Sequence, residues 1–283
     1  MTISARHFAC LTAIGLLSAC AQRERVSLSV DFTARDEWHY DFALTVGGRV
    51  SLGDSVSSFG NTMRCRLVGR GDTTDPTLVH ATTRDVSLES ALLREDEAAD
   101  VRRRLEVFDI SYSLRDGFAG LPDSTPVPVV GAGHGELYRH FFKMMPLLPD
   151  GRVRPGFSWE REKKLPIPTK HGDAIGHVYR SFTFDSLRRA ENGHRLAYLS
   201  WSLSYALDPQ DVDTSGFLDD MPRKGKGAGS AVLDVDDKAL LRARVEFTVP
   251  QGGQEGVFSI DWQEHASIVL VDAEQERAAG DVE

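Results

Sequence analysis

The residues whose spacing comes nearest to a metal site are Asp211, Asp213 and Ser215. Oxygen-bearing side chains at positions 1, 3 and 5, followed by Gly216 at position 6, form the first half of a calcium-binding loop. Position 12 of such a loop supplies a bidentate glutamate, but here it is Pro222. We therefore interpret the segment as a solvated acidic loop, with calcium binding by Asp211, Asp213 and Ser215 as the weaker alternative.

Other catalytic patterns are missing or incomplete. The glycine-rich run 223–230 lacks the spacing of a phosphate-binding loop, so we interpret residues 208–229 as a polar loop whose end is flexible and basic. The histidines do not show the close spacing of zinc proteases, and no Gly-x-Ser-x-Gly turn is present. The sequence therefore predicts no catalytic residues, no cofactor and no enzyme activity, while a hydrolase with no recognisable motif remains an alternative.

The N-terminal residues have the layout of an export signal. Arg6 is followed by a mostly apolar run over residues 8–17 and then by small residues. A transmembrane helix needs about 20 apolar residues, so this run is too short to remain as an anchor. We therefore expect residues 1–19 to be a signal peptide, with Cys20 as the next residue.

The end of this signal resembles the lipobox of bacterial lipoproteins, through Leu17, Ser18, Ala19 and Cys20. The resemblance implies a diacylglycerol on the thiol of Cys20 and an acyl chain, such as palmitate, on its amine. Two or more chains hold a protein firmly, whereas one chain binds a membrane only marginally. Because Ala21 follows the cysteine, the resemblance further implies the periplasmic face of the outer membrane of a Gram-negative bacterium.

The composition argues against nucleic acid as a partner and against disulfide bonds as a source of stability. The 283 residues carry a formal net charge of −9, which is unfavourable for binding nucleic acid. If Cys20 is lipidated, Cys65 has no partner for a disulfide after the signal is removed. Cys65 alternates with Met63 and Leu67, so we expect it to be a small buried residue on a strand.

Alternating apolar residues predict a mainly β (α+β) protein. Residues 26–32, 38–46, 108–114 and 241–249 follow the period of a strand with one buried face. Gly47-Gly48 and Asn192-Gly193 predict tight hairpins. We expect either an antiparallel curved sheet or two β-meander halves, together with two amphipathic helices.

The two helices are predicted over residues 88–105 and about 135–145. The first has a modest apolar stripe, and its acids precede its arginines, which suits the helix dipole. The second has a strong apolar face and ends before Pro146. The side chains that would contact an apolar ligand under this second helix are Leu137, Phe141, Phe142 and Met145, although such a face more often simply fills a core.

We divide the chain at changes of composition. The predicted parts are a signal peptide (1–19), a lipidated tether (20–25), an N-terminal β-rich half (26–115), a Gly/Pro-rich crossover (116–135), a C-terminal helix with a β-meander half (136–272) and a disordered acidic tail (273–283). The stretch with Leu148, Pro149, Val153, Gly156 and Trp159 resembles uncharacterised β-rich bacterial envelope lipoproteins. That resemblance implies an architecture and a location, but no reaction.

The sequence as a whole favours a non-enzymatic envelope lipoprotein that binds or scaffolds another component. Its expected partners are the membrane, through the lipid on Cys20, and an unknown envelope protein or apolar ligand. The first alternative is a carrier or sensor of an apolar ligand under helix 135–145, and the second is the hydrolase.

Overall fold

A computed structural model describes residues 24–91, 93–120, 137–169, 172–207, 224–252 and 258–271. The predicted signal peptide, the predicted lipidation residue Cys20 and the loop residues Asp211, Asp213 and Ser215 lie outside these ranges. No helix in the described part of the chain is long and apolar enough to cross a bilayer.

Thirteen strands make up most of the described chain. They are β1 (Val26–Ser27), β2 (Trp38–Leu52), β3 (Ser55–Gly71), β4 (Leu78–Ser90), β5 (Asp109–Ser113), β6 (Gly117–Gly120), β7 (Arg152–Val153), β8 (Ser158–Thr169), β9 (Gly172–Arg189), β10 (Arg195–Leu207), β11 (Lys224–Asp234), β12 (Ala239–Gly252) and β13 (Phe258–Leu270). The mainly β prediction is therefore confirmed.

Eleven of these strands form one open antiparallel sheet. Its order is β6-β5-β4-β3-β2-β13-β12-β11-β10-β9-β8, and β1 and β7 form a separate two-stranded pair. Consecutive strands are neighbours from β2 to β6 and from β8 to β13, and β2 pairs with β13 near the middle of the sheet, so that β6 and β8 form its two edges. One sheet thus runs through both predicted β-rich segments.

The prediction of two amphipathic helices is wrong for the first of them. Helix α1 (Glu95–Leu105) is mostly polar and buries only Val101 and Leu105. The expected stripe began at Leu88, but Leu88 belongs to β4 and therefore follows the period of a strand. Helix α2 (Leu137–Met144) does have a strong apolar face, and it ends just before Pro146 as predicted.

Of the two predicted hairpins, one is confirmed and one is wrong. Asn192-Gly193 lies in the turn between β9 and β10, where Gly193 has a φ of 87°. Gly47 and Gly48 instead lie inside β2, because β3 and β13 continue to pair with them on both sides. The chain turns five residues later, at Gly53, whose φ of 54° favours glycine.

The glycine-rich run that we interpreted as the end of a loop is part of a strand. Lys224 to Asp234 pair with β10 on one side, and from Lys226 onwards the strand also pairs with β12 on the other. Glycine is usually unfavourable in strands, which is why the pattern suggested a loop. The glycines are needed because aromatic rings from the two neighbouring strands lie against them, as described below.

One face of the sheet, which we call the inner face, holds most of the core. It includes Trp38, Tyr40, Phe42, Leu44 and Val46 of β2, Met63, Cys65 and Leu67 of β3, Phe182 of β9, Trp201 of β10, Phe247 of β12 and Ile268 of β13, all of them buried. Cys65 is a free thiol in this core, as its alternation predicted. Further buried side chains come from helix α2, from residues 144–148 and from segment 26–32, which leads into a short 3₁₀ helix (Phe32–Ala34).

Candidate functional site

Helix α2 packs against the inner face through its apolar side. The ring of Phe141 stacks on Phe42 of β2, with 4.7 Å between the ring centroids. Leu137 and Met144 are fully buried. This packing matches the apolar face that the helical period predicted.

The same helix also makes a buried ionic contact. The Nδ1 atom of His140 lies 3.1 Å from Oε2 of Glu264 on β13, and the ammonium group of Lys143 contacts the same oxygen. The Glu264 and His140 side chains are only 4% and 1% exposed, and that of Lys143 is 14% exposed. We call His140, Lys143 and Glu264 the ionic cluster.

The ionic cluster fixes the charge of Glu264. Burial by itself would raise the pKa of this carboxyl group, because a charged carboxylate loses its hydration. The charges of Lys143 and His140, and the hydrogen bonds from both side chains, outweigh burial and hold the pKa of Glu264 well below its usual range. Glu264 is therefore ionised at neutral pH and is the anion to which α2 is attached.

Three buried polar residues of the inner face lie on one line across the strands. Following the register from strand to strand, Asn61 of β3, Glu264 of β13 and Arg180 of β9 occupy the same row. Each is at most 3% exposed. Four strand spacings separate Glu264 from Arg180, a distance of about 19 Å. We call this line the polar row.

The end of α2 contacts the polar row a second time. Nη1 of Arg180 donates a hydrogen bond to the carbonyl of Met145 at 2.7 Å. The hydroxyl of Tyr112 donates to the same carbonyl at 3.2 Å. Burial lowers the pKa of Arg180 and raises the pKa of Tyr112. The helix and the residue after it therefore connect β13 with β9.

Between these two contacts, the residues of β11 that lie on the inner face are glycines: Gly225, Gly227 and Gly229. A Cβ atom built on Gly229 would lie 2.1 Å from Cε2 of Trp201, and one built on Gly225 would lie 2.3 Å from Cζ of Phe247. The two rings, from β10 and β12, thus lie over the glycine backbone. The ammonium group of Lys143 is 4.5 Å from the centroid of Phe247, which adds a cation–π contact to the ionic cluster.

The structure brings together most of the apolar residues that the sequence singled out. Leu137, Phe141 and Met145 are all buried beneath α2, while the side chain of Phe142 lies outside the described part. Sequence reasoning missed His140, Lys143 and Glu264. The sequence did contain a signal for Glu264. It alternates with Ala266, Ile268 and Leu270 and so lies on the apolar face of β13, where a charged residue is unexpected.

A second cluster of titratable groups lies at the turns that join β9 to β10 and β11 to β12. His194, Asp234 and Asp237 place one ligand atom each within 4.8 Å of one another. Asp234 already accepts hydrogen bonds from the backbone N–H groups of Asp236 and Asp237. Its carboxylate, 2.8 Å from Nδ1 of His194, raises the pKa of that histidine. These contacts tie the two turns together.

An open cleft of about 880 Å³ lies on the outer face, across β8 to β12. Its floor consists of small side chains, including Ser181, Ser202 and Ala228, and Glu160 and Glu246 stand at its two sides. The cleft faces away from α2 and is separate from the ionic cluster.

Neither a sequence-family model nor a curated protein matches this chain. Among solved structures, the chain is weakly similar to a LolA superfamily protein from Nitrosomonas europaea, with 10% identity over 84% of this chain and 89% of that chain and a TM-score of 0.19. A DUF1329 family protein from Desulfovibrio piger gives 8% identity, 82% and 84% coverage and a TM-score of 0.15. A putative outer membrane lipoprotein-sorting protein domain from Vibrio parahaemolyticus is 7% identical over 82% of this chain and 83% of that chain, with a TM-score of 0.14. At these scores we take nothing about ligand or activity from them.

Proposed function

We propose that this chain is a non-enzymatic, lipid-anchored binding protein of a bacterial envelope, and that it holds an apolar ligand between α2 and the inner face. The observation that carries the proposal is the attachment of α2. An apolar helix face covers an apolar sheet face, and the ionic cluster of His140, Lys143 and Glu264 fastens it.

The length of α2 supports a cover that can be displaced. Its eight residues are too few to form a stable helix in isolation, since an isolated helix needs about 12–15 residues. The helix therefore persists because of its contacts with the sheet. Elements held in this way open at a lower free energy than the strands of a core. An apolar chain that entered here would replace the packing of Phe141 on Phe42 with packing of its own.

The geometry of His140 supports a role in attaching α2 to the sheet. Its Nδ1 atom is committed to Glu264, and its buried Nε2 atom makes no hydrogen bond within the described residues. The described contacts of His140 are therefore those of a residue that holds α2 on β13.

The anchor and the location belong to the same proposal. The lipid on Cys20 would hold the protein at a membrane, and Ala21 favours the periplasmic face of the outer membrane. The acidic composition of the chain gives it no general attraction for an anionic bilayer, so the acyl chains would provide most of the binding.

Native mass spectrometry of the full chain, purified from the envelope fraction in a mild detergent, tests the proposal. We expect a non-covalent adduct of an apolar ligand that survives removal of the detergent. Phe141→Ala should reduce the occupancy of that adduct, whereas Val101→Ala, a truncation of a buried residue on α1, should leave it unchanged. An adduct-free spectrum of the wild-type protein would rule out ligand binding beneath α2.

A further inference from the structure

The first described residues are fixed to one end of the sheet. We call this end the turn end; it contains the turns around Asn192-Gly193 and Asp236-Asp237. The carboxylate of Glu24 accepts a hydrogen bond from Nη1 of Arg195 at 2.7 Å, and Arg195 is the first residue of β10 after the turn. Glu24 is thus held beside the turn end.

Arg195 is itself firmly positioned. Its Nε and Nη2 atoms both donate to Oδ1 of Asp236, at 2.9 and 2.5 Å, and its backbone N–H donates to Oδ2 of the same carboxylate at 2.7 Å. The hydrogen bonds to Asp236 and Glu24 raise the pKa of the guanidinium group. A planar guanidinium held by two carboxylates has little freedom to turn.

Two further contacts hold the residues after Glu24. The carbonyl of Arg25 accepts a hydrogen bond from Nη2 of Arg152 at 2.7 Å. Val26, which is 2% exposed, pairs with Val153 in the two-stranded sheet. The start of the described chain is therefore attached to the body at three successive residues and does not swing away from the turn end.

The chain that separates this attachment from Cys20 is short. Cys20 precedes Glu24 by four residues, which span at most about 14 Å when fully extended. The opposite end of the sheet is much farther away. The start of β2 lies at the turn end, because the register through β13 places Asp41 in line with Arg242, near the start of β12. Leu52, beside the β2–β3 turn, is 14 residues along β2 from Trp38, a distance of about 46 Å along the strand.

We propose that the turn end faces the bilayer and that the β2–β3 turn, around Gly53 and Asp54, points away from the membrane. The proposal rests on lipidation of Cys20 and is independent of ligand binding under α2. A lipid held within about 14 Å of Glu24 can lie against the turn end but cannot reach the opposite end. The partner of the turn end is therefore the lipid headgroup surface.

The exposure of apolar side chains alone would suggest the opposite orientation. Leu52 and Val56, beside the β2–β3 turn, are 61% and 64% exposed and are among the most exposed large apolar residues of the described chain. An exposed apolar turn invites the interpretation that it dips into a membrane. Because the tether is short, these two residues instead lie at the end away from the membrane, where soluble partners can reach them.

Depth-dependent quenching in vesicles tests this orientation with the full lipidated chain. Glu191→Cys at the turn end and Ser55→Cys at the β2–β3 turn, both exposed positions, are labelled with an NBD fluorophore. The vesicles contain phosphatidylcholine that carries a nitroxide near its headgroup. Buried Cys65, whose thiol pKa is raised to about 12, does not compete for the label. We expect quenching at residue 191 to exceed that at residue 55 by about threefold or more.

The attachment itself is tested by adding Glu24→Gln to both labelled variants, Glu191→Cys and Ser55→Cys, which should reduce the difference in quenching between the two positions. Equal quenching at both positions, or stronger quenching at residue 55, would overturn the proposal. Flotation with the vesicles is measured in parallel, with Cys20→Ala as the control that stays in solution. If the wild-type protein also stays in solution, the anchor and the orientation both fail, while the adduct experiment on α2 is unaffected.

Discussion

The Lys143 ammonium group on α2 and the Glu264 carboxylate on β13 form a buried ion pair between residues 121 positions apart in the chain. The pair joins the apolar helix to a strand that lies next to β2. Removing two charges from water is costly, so such a pair contributes little net stability compared with apolar packing. Its main effect is to specify where α2 lies on the sheet.

Replacing one partner of this pair should be strongly destabilising. Glu264→Gln leaves the Lys143 ammonium buried without its anion, and such a change typically costs about 3–5 kcal/mol. We expect the free energy of unfolding, measured in urea, to fall by that amount. Glu246→Gln, an exposed position on the neighbouring strand, should stay within about 0.5 kcal/mol of the wild-type protein.

The double variant Glu264→Gln with Lys143→Met separates charge from packing, because it removes the unpaired cation. It should recover most of the lost stability. A double variant as unstable as Glu264→Gln alone would contradict the ionic interpretation.

The His194–Asp234 contact predicts a loss of stability as the pH rises above the ordinary histidine pKa of about 6.5. Because the hydrogen bond to Asp234 raises the pKa of His194 on folding, its contribution is fully present below the ordinary histidine pKa of about 6.5. The contribution is lost as the pH rises through the pKa of the folded state. We expect the pH dependence of unfolding in this range to weaken in His194→Gln, and an NMR titration of Asp234→Asn to return the pKa of His194 towards its ordinary value. An unshifted His194 in the wild-type protein would refute this explanation.

The glycines of β11 should resist substitution because of the rings above them. A methyl group at position 229 would collide with Trp201, 2.1 Å away, and overpacking of this kind costs about 1–3 kcal/mol. Gly60→Ala on β3 is the matched control, since a Cβ there has no neighbour within 4 Å. Thermal unfolding of the two variants measures the difference, and equal stabilities would show that Trp201 moves aside freely.

The Cys65 thiol should be inert in the folded protein. Burial raises its pKa to about 12, so almost no reactive thiolate is present at pH 8. Incubation with N-ethylmaleimide should leave Cys65 unmodified by mass spectrometry until urea is added. Rapid modification without urea would mean that the inner face opens readily at β3.

The lipid anchor can be tested without reference to the fold. Cys20→Ala should release the protein from the membrane fraction and abolish labelling by an alkyne analogue of palmitate. Cys65→Ala, the matched substitution inside the core, should keep both the membrane association and the label. Persistent labelling of Cys20→Ala would disprove the lipobox interpretation.

The buried face of each strand and the position of the second helix could be predicted from the sequence, because both depend on the local spacing of apolar residues. The alternation from Trp38 to Val46 matches the buried side of β2, and Pro146 defines the end of α2. The ionic cluster could not be predicted in this way, since His140 and Glu264 lie 124 residues apart and only the tertiary fold brings them together.

The two errors at glycines have a common physical cause. A glycine pattern describes only what the local backbone can do, whereas neighbouring strands decide what it does. Gly47 and Gly48 stay extended because β3 and β13 both pair with them. Gly225 and Gly229 lie in a strand because Phe247 and Trp201 need the space that a side chain would fill.

The pairing of β2 with β13 has a consequence for how the protein matures. Val46 lies opposite Glu264, so the centre of the sheet is completed by segments from the two ends of the chain. A contact of such long sequence separation forms slowly, because a large loop must close first. Until β13 has been synthesised and has paired, this edge of β2 is open and can associate with other chains. A chaperone that covers that edge until β13 is in place would therefore reduce aggregation of the folding chain.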